Sequence, residues 1–127
     1  MKINIISAKN IPVAMIDGEV LNLLFKKIKD KTQLDFINGV QYKCPNASIN
    51  IFLQFVNYSF LQYSKINILI IDHNNLNKNW IPYLGDFDYI ITKSSYSYSV
   101  IETEMKRHKL NTDNLYNIGW RSPNIEV

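Results

Sequence analysis

The sequence predicts one α/β domain whose sheet is mostly parallel, and three observations carry that prediction. Short apolar runs alternate with stretches of helical period along the chain. The most apolar run, INILIID at 66–72, lacks the alternation of a half-exposed strand, as expected of a central parallel strand covered on both faces. Finally, 127 residues are enough for one ordinary core and leave no room for a second.

KINIISA at 2–8 is rich in Ile and predicts the first strand, with Asn10, Pro12 and Gly18 marking the loop after it. From Asp17 the period changes. Val20, Leu21, Leu24, Phe25 and Ile28 recur at three and four residues, Asp17 can cap and Glu19 sits in the first turn, so a helix should end near Asp30. QLDFING predicts a second strand closed by Gly39, QYKCPNAS a polar connector, and INIFLQF a third strand. In VNYSFLQYSK the residues Tyr58, Phe60, Leu61 and Tyr63 are too crowded for a strand and predict a short helix. After the fourth strand, HNNLNKNW is turn-rich and WIPYLG makes a short turn around Pro82.

DYIIT is the fifth strand, and SSYSYSVIETEMKRHKL is a helix capped by Ser94 or Ser95, with Ser97, Ile101 and Met105 on one face. Lys106, Arg107 and His108 fall in its last turn, where cations suit the helix dipole. NLYNIGW is the sixth strand, and Pro123 keeps the tail from continuing as helix. Strands and helices alternating at this spacing imply right-handed βα units, hence a Rossmann-like three-layer sandwich with a mostly parallel six-stranded sheet, expected order 3-2-1-4-5-6. The whole of 1–127 reads as this single domain.

Composition narrows the function. Hydrophobic residues at 46% and charged residues at 20% exclude disordered and collagen-like classes. The net charge of +3, from 14 basic and 11 acidic residues, is scattered and does not argue for a nucleic-acid partner. Its densest cluster, Lys26, Lys27, Lys29 and Lys31, falls at a predicted helix end and reads as a solvated face. One cysteine, Cys44, excludes an internal disulfide, and two distant histidines assemble no zinc pattern, so no metal is expected. Cys44 reads as a structural thiol. The apolar run at the N-terminus is too short for a membrane span and lacks a signal-peptide layout, so a cytoplasmic location is the expectation. After the first strand, AKNIPVAM offers no G-x-G-x-x-G, no acidic cluster and no flavin phosphate loop, and a dinucleotide cofactor is not expected. No Walker loop or G-x-S-x-G elbow occurs either.

In a sheet of this kind ligands bind beyond the carboxyl ends of the strands. Four polar clusters are expected there: Lys9 with Asn10, Asp72 to Asn75, Lys93 to Ser95, and Trp120 to Ser122. Amides, a carboxylate, hydroxyls and cations lining a concave edge suit a hydroxyl-rich or phosphorylated ligand. Lys93-Ser94-Ser95 opens a helix, where unpaired N–H groups and a nearby cation could complete an anion or sugar-hydroxyl site. A capping Ser beside a solvated Lys explains the same residues without a ligand. Asp72 and His73 are the candidate base and orienting partner, although neighbours on a strand point to opposite faces. An Asn-rich loop bonding its own backbone explains Asp72-His73-Asn74-Asn75 equally well.

The ordered run INIFLQFVN…INILIIDHNNLNKNWIPYLGDFDYIITKSSYSYSVIE…NLYNIGWRSPN resembles the N-terminal domain of two-domain, GT-B type glycosyltransferases over roughly residues 48–124. Asn74, Asn75 and Trp80 stand where that group has an NxEW-like loop, without its acidic residue. Asp88, Lys93 and Ser94 match a D-x-apolar-x-x-K-T/S junction, and Gly119, Trp120, Arg121 and Ser122 match a GWxS-like strand end. The resemblance implies an acceptor-side domain that transfers a sugar from a nucleotide donor to a small-molecule or glycan acceptor, paired with a C-terminal domain in the same or another chain. The nucleotide sugar would be a substrate, with no further cofactor. It implies that Lys93, Ser94 and Arg121 contact phosphate or sugar oxygens, that Trp120 or Trp80 stacks on a sugar ring, and that Asp72 or His73 is the base; Asn10, Asn74, Asn75 and Ser122 complete the expected binding set. The other reading of the same scaffold is a non-catalytic binding or interaction module.

Overall fold

The computed structural model describes residues 1–8, 33–41 and 43–119. Six parallel strands form one sheet: β1 (Lys2–Ser7), β2 (Gln33–Asn38), β3 (Ala47–Leu53), β4 (Ser64–Ile70), β5 (Tyr89–Thr92) and β6 (Leu115–Asn117). Helix α1 (Ser95–Arg107) links the last two strands, and 3₁₀ segments cover Tyr58–Tyr63, His73–Asn75 and Lys78–Asp86. The architecture is an α/β, Rossmann-like fold, as the alternation of apolar runs predicts. The helix expected between Asp17 and Asp30, the lysine cluster within and after it and the Pro123 tail lie outside the described residues.

The strand order is 2-1-3-4-5-6, not 3-2-1-4-5-6. β3, not β2, takes the place beside β1 and β4. Exposure explains the exchange: Asp35 and Phe36 of β2 face partly or largely outward, whereas Asn50, Ile51, Phe52 and Leu53 of β3 are buried. A strand with a charged residue and an open face suits an edge, and one buried on both faces needs a neighbour on each side. The reversal of strand order consequently lies between β1 and β3, in the other common doubly wound order extended by one strand.

One face of the sheet carries Ile6, Phe52, Leu69, Ile71, Ile90 and Leu115, packed against Phe60, Ile81, Leu84, Phe87, Ile101 and Met105 from the helical segments and the loop before β5. Phe52 meets Phe87 edge to face at 5.4 Å. The opposite face buries Ile3, Ile5, Ile51, Leu53 and Ile70.

Three amides interrupt the first face. Asn4, Asn50 and Asn67 stand in register on β1, β3 and β4, and all are buried. Asn4 Nδ2 donates to Asn50 Oδ1 at 3.0 Å and to Pro45 O at 2.7 Å. Asn50 Nδ2 donates to Asn67 Oδ1 at 3.3 Å and to Phe60 O at 3.0 Å, and Asn67 Nδ2 to Leu61 O at 3.1 Å. The ladder therefore satisfies loop and 3₁₀ carbonyls that would otherwise be buried without donors. Cys44 lies under it, its Sγ accepting a 3.4 Å contact from Asn4. Burial pushes the Cys44 thiol above its ordinary range, against the opposing pull of Asn4 and Lys2, as befits a structural thiol.

α1 begins at its N-cap Ser94, whose Oγ accepts from the Ser97 N–H at 3.1 Å. It ends with Lys109 at φ 60°, where Leu110 N–H reaches Met105 O and Lys109 N–H reaches Lys106 O, both at 2.9 Å. This double bond pattern is the one that glycine normally closes, because the left-handed conformation penalises a Cβ.

Two stability predictions follow from this geometry. Asn50→Leu strands the Phe60 carbonyl and Asn67 Oδ1 without a donor, and should cost about 2–4 kcal/mol in urea unfolding; an equal or higher stability would show that the ladder contributes nothing. Lys109→Gly should raise stability by about 1 kcal/mol by relieving the left-handed residue, and a lower melting temperature would contradict this.

Candidate functional site

The polar groups at the carboxyl edge converge on a residue that sequence reasoning treated as part of a strand. Gln54 follows β3, is fully buried and adopts φ 55°, a conformation that costs a non-glycine residue about 1–2 kcal/mol. Its N–H still donates to Ile70 O at 2.8 Å, so the sheet continues one residue further before the chain turns away. The side chain joins two loops. Gln54 Oε1 accepts from the Asp72 N–H at 2.7 Å and from Asn75 Nδ2 at 3.0 Å, while Nε2 donates to Asp72 Oδ2 at 3.3 Å. These bonds hold the strained backbone in place, the usual circumstance in which such residues persist. The signal in the sequence is a lone amide inside the apolar run IFLQFV.

β4 ends beside β5, which brings the loop after Ile71 against the seam between β5 and α1. Lys93 Nζ lies 3.3 Å from Asp72 Oδ2, with side-chain exposures of 10% and 23%. This pair is far less exposed than Lys106–Glu102 on the helix surface, where Lys106 is 64% exposed and the separation is 3.7 Å. Screening by solvent is correspondingly weaker at Lys93.

His73 turns to the other side of the loop. Its N–H donates to Ser97 Oγ at 3.2 Å, its Nδ1 shares a 2.8 Å hydrogen bond with the same hydroxyl, and its ring meets Tyr96 edge to face at 4.9 Å. Ser97 is buried in the first turn of α1, so His73 clamps the loop to the start of the helix. Asp72 and His73 thus have separate partners: one side chain goes to Lys93 and Gln54, the other to Ser97. Asp72 Oδ1 and His73 Nε2 have no partner among the described residues.

The remaining candidates divide. Asn75 belongs to the Gln54 cluster, and Asn74 beside it is exposed. Ser94 sits at the same seam, with its hydroxyl oxygen accepting from the helix. Ser95 Oγ accepts from Asn117 Nδ2 at 3.2 Å and joins the seam to the end of β6. Trp80 is half-buried at the rim of the core, edge to face with Phe55 at 5.6 Å. Asn10, Trp120, Arg121 and Ser122 lie outside the described residues. Among the described residues no group of side chains has the makings of a metal site, and no helix is long and apolar enough to cross a membrane.

The arrangement can do three things chemically: present a fixed ammonium, present a carboxylate oxygen and an imidazole nitrogen that are both open among the described residues, and supply amide donors from Asn74 and Asn75. No family model, no curated protein and no solved structure matches the chain.

A double-mutant cycle with Lys93→Met and Asp72→Asn should give a coupling of about 1–2 kcal/mol, against about 0.3–0.5 kcal/mol for the exposed Lys106 and Glu102 pair. Urea unfolding at two salt concentrations measures both, and equal couplings would show that the seam pair is an ordinary surface contact.

Proposed function

We propose that the chain is the acceptor-side domain of a glycosyltransferase, transferring a sugar from a nucleotide donor to a hydroxyl acceptor when paired with a second domain. The observation that supports this reading best is the Lys93–Asp72 pair at the carboxyl edge, whose lysine is that of the D-x-apolar-x-x-K-S segment of the resemblance and whose aspartate follows β4. Three tasks fall to such a domain: holding the acceptor, accepting its proton and balancing the charge of the departing phosphate.

Asn74 and Asn75 would bond acceptor hydroxyls, together with Asn10 and Ser122. The ammonium of Lys93 and the guanidinium of Arg121 would face phosphate or sugar oxygens beside Ser94, and Trp120 or Trp80 would offer an aromatic face. The proton has two candidate destinations. Asp72 Oδ2 is occupied by Lys93 and Gln54, which leaves Oδ1; His73 Nδ1 is occupied by Ser97, which leaves Nε2. If Nδ1–H donates to Ser97, Nε2 carries an open lone pair, and the acceptor proton can move to it as the acceptor oxygen bonds to the sugar carbon and the nucleotide phosphate leaves. The Ser97 oxygen can accept from both the His73 N–H and Nδ1–H, so this tautomer is compatible with its bonds.

One observation favours the alternative, a binding module without catalysis: Asp72 and His73 do not hydrogen-bond to each other, so no base is oriented by a neighbouring carboxylate. Turnover separates the two readings. With the chain joined to a second domain, where the reading frame supplies one, a panel of nucleotide sugars and hydroxyl acceptors should show nucleotide release. His73→Ala or Lys93→Met should lower it by about a hundredfold or more, the usual scale of a lost general base or charge partner. Saturable ligand binding without nucleotide release would select the binding module.

A further inference from the structure

A cleft lies at the opposite, amino-terminal edge of the sheet. It encloses about 550 Å³ between the 3₁₀ segment Tyr58–Tyr63, the start of β4 and the loop leading to β5. That volume falls within the range of small-molecule sites. We propose that this cleft is a binding site for a neutral saccharide, separate from the carboxyl-edge cluster.

Its chemistry selects the ligand. The ring of Tyr58 packs on that of Tyr83, centroids 4.4 Å apart and planes tilted by 33°, yet Tyr58 remains 51% exposed and Tyr83 40%. Tyr58 lines the cleft and Tyr83 backs it, so an exposed aromatic ring held in place beside polar groups offers a flat apolar surface of the kind that covers the C–H face of a sugar ring. Around it stand acceptors and donors of both kinds. Asp86 and Asp88 supply carboxylate oxygens that accept charge-assisted bonds from hydroxyls. Lys65 and Gln62 supply donors.

The acidic side of the cleft is built in place. Asp88 Oδ2 accepts from the Asn67 N–H at 2.8 Å, and the Asp88 N–H returns a bond to Asn67 O at 2.9 Å. Asn67 is the last member of the buried amide ladder, so Asp88 is anchored through the sheet interior. A phosphorylated ligand would meet two carboxylates, and a polycation would meet Lys65. A neutral polyhydroxyl ring opposes neither and uses both donors and acceptors.

The cleft is separate from the carboxyl-edge site of the transferase reading, because none of its residues belongs to that edge; Asp88 alone is shared with the motif of the resemblance. It is tested by recording amide ¹H–¹⁵N spectra of the full chain during separate titrations with maltose, cellobiose and N,N′-diacetylchitobiose, with tri-lysine as a control. At least one saccharide should give saturable shifts at the amides of Tyr58, Gln62, Asp86 and Asp88, with the tri-lysine spectrum unchanged. Tyr58→Ala should weaken that binding about fivefold or more. Asp86→Asn, an exposed and nearly isosteric change, should weaken it comparably and guards against misfolding of the first variant. No saturable shift with any of the three saccharides would overturn the proposal. So would binding that both variants leave unchanged, shifts confined to Asp72, His73 and Lys93, or a response to tri-lysine in place of the saccharides.

Discussion

The buried amide ladder of Asn4, Asn50 and Asn67 is the constraint on which the rest of the structure depends. A parallel strand buried on both faces has few ways to specify its register, because neighbouring apolar side chains tolerate a slip of two residues. Amides do not tolerate it. Each Nδ2 group must find an acceptor in the interior, and the pairing that provides them aligns Asn4 with Asn50 and Asn50 with Asn67. The ladder also reaches beyond the sheet. Its donors bind the carbonyls of Pro45, Phe60 and Leu61, so the approach to β3 and the 3₁₀ segment before β4 are tied to the same line of side chains.

At the carboxyl edge another amide plays the corresponding part. Gln54 closes β3 in a left-handed conformation and bonds both Asp72 and Asn75. Asp72 in turn meets Lys93, and His73 meets Ser97 at the start of α1. Three consecutive strand ends, those of β3, β4 and β5, are therefore joined by side chains as well as by backbone. This makes the edge a rigid platform on which Asp72 Oδ1 and His73 Nε2 have no partner among the described residues. Rigidity of this sort suits a site that must orient a ligand, since the groups lose little freedom when it binds. The amino edge is organised by the ladder and the carboxyl edge by Gln54, so the two proposed sites can be perturbed independently.

The period of the apolar residues was sufficient to locate the described strands and α1, because burial on one or two faces imposes that period directly. A serine cap at Ser94 or Ser95, of which the structure uses Ser94, and Ser97, Ile101 and Met105 as the buried face of α1, were legible for the same local reason. Boundaries were less so: β3 runs from Ala47 to Leu53 and not from Ile49 to Phe55, since Gln54 leaves the strand in a conformation that propensity does not forecast. The turn around Pro82 proved to be a nine-residue 3₁₀ segment. At the site, Asp72, Asn75, Lys93 and Ser94 were found from their places after strands. Gln54 and Ser97 were missed as site residues because their partners lie 18 to 24 positions away.

What the sequence by itself determined is an α/β domain with a buried parallel core, polar strand ends and no internal disulfide. Those properties follow from local pattern, residue counts and the solvation cost of unpaired backbone. Only the tertiary structure decided that β3 sits between β1 and β4, that the three asparagines form one ladder, and that Asp72 faces Lys93 while His73 faces Ser97. Strand order and side-chain pairing depend on which distant surfaces bury each other best, and no local window of the chain carries that comparison.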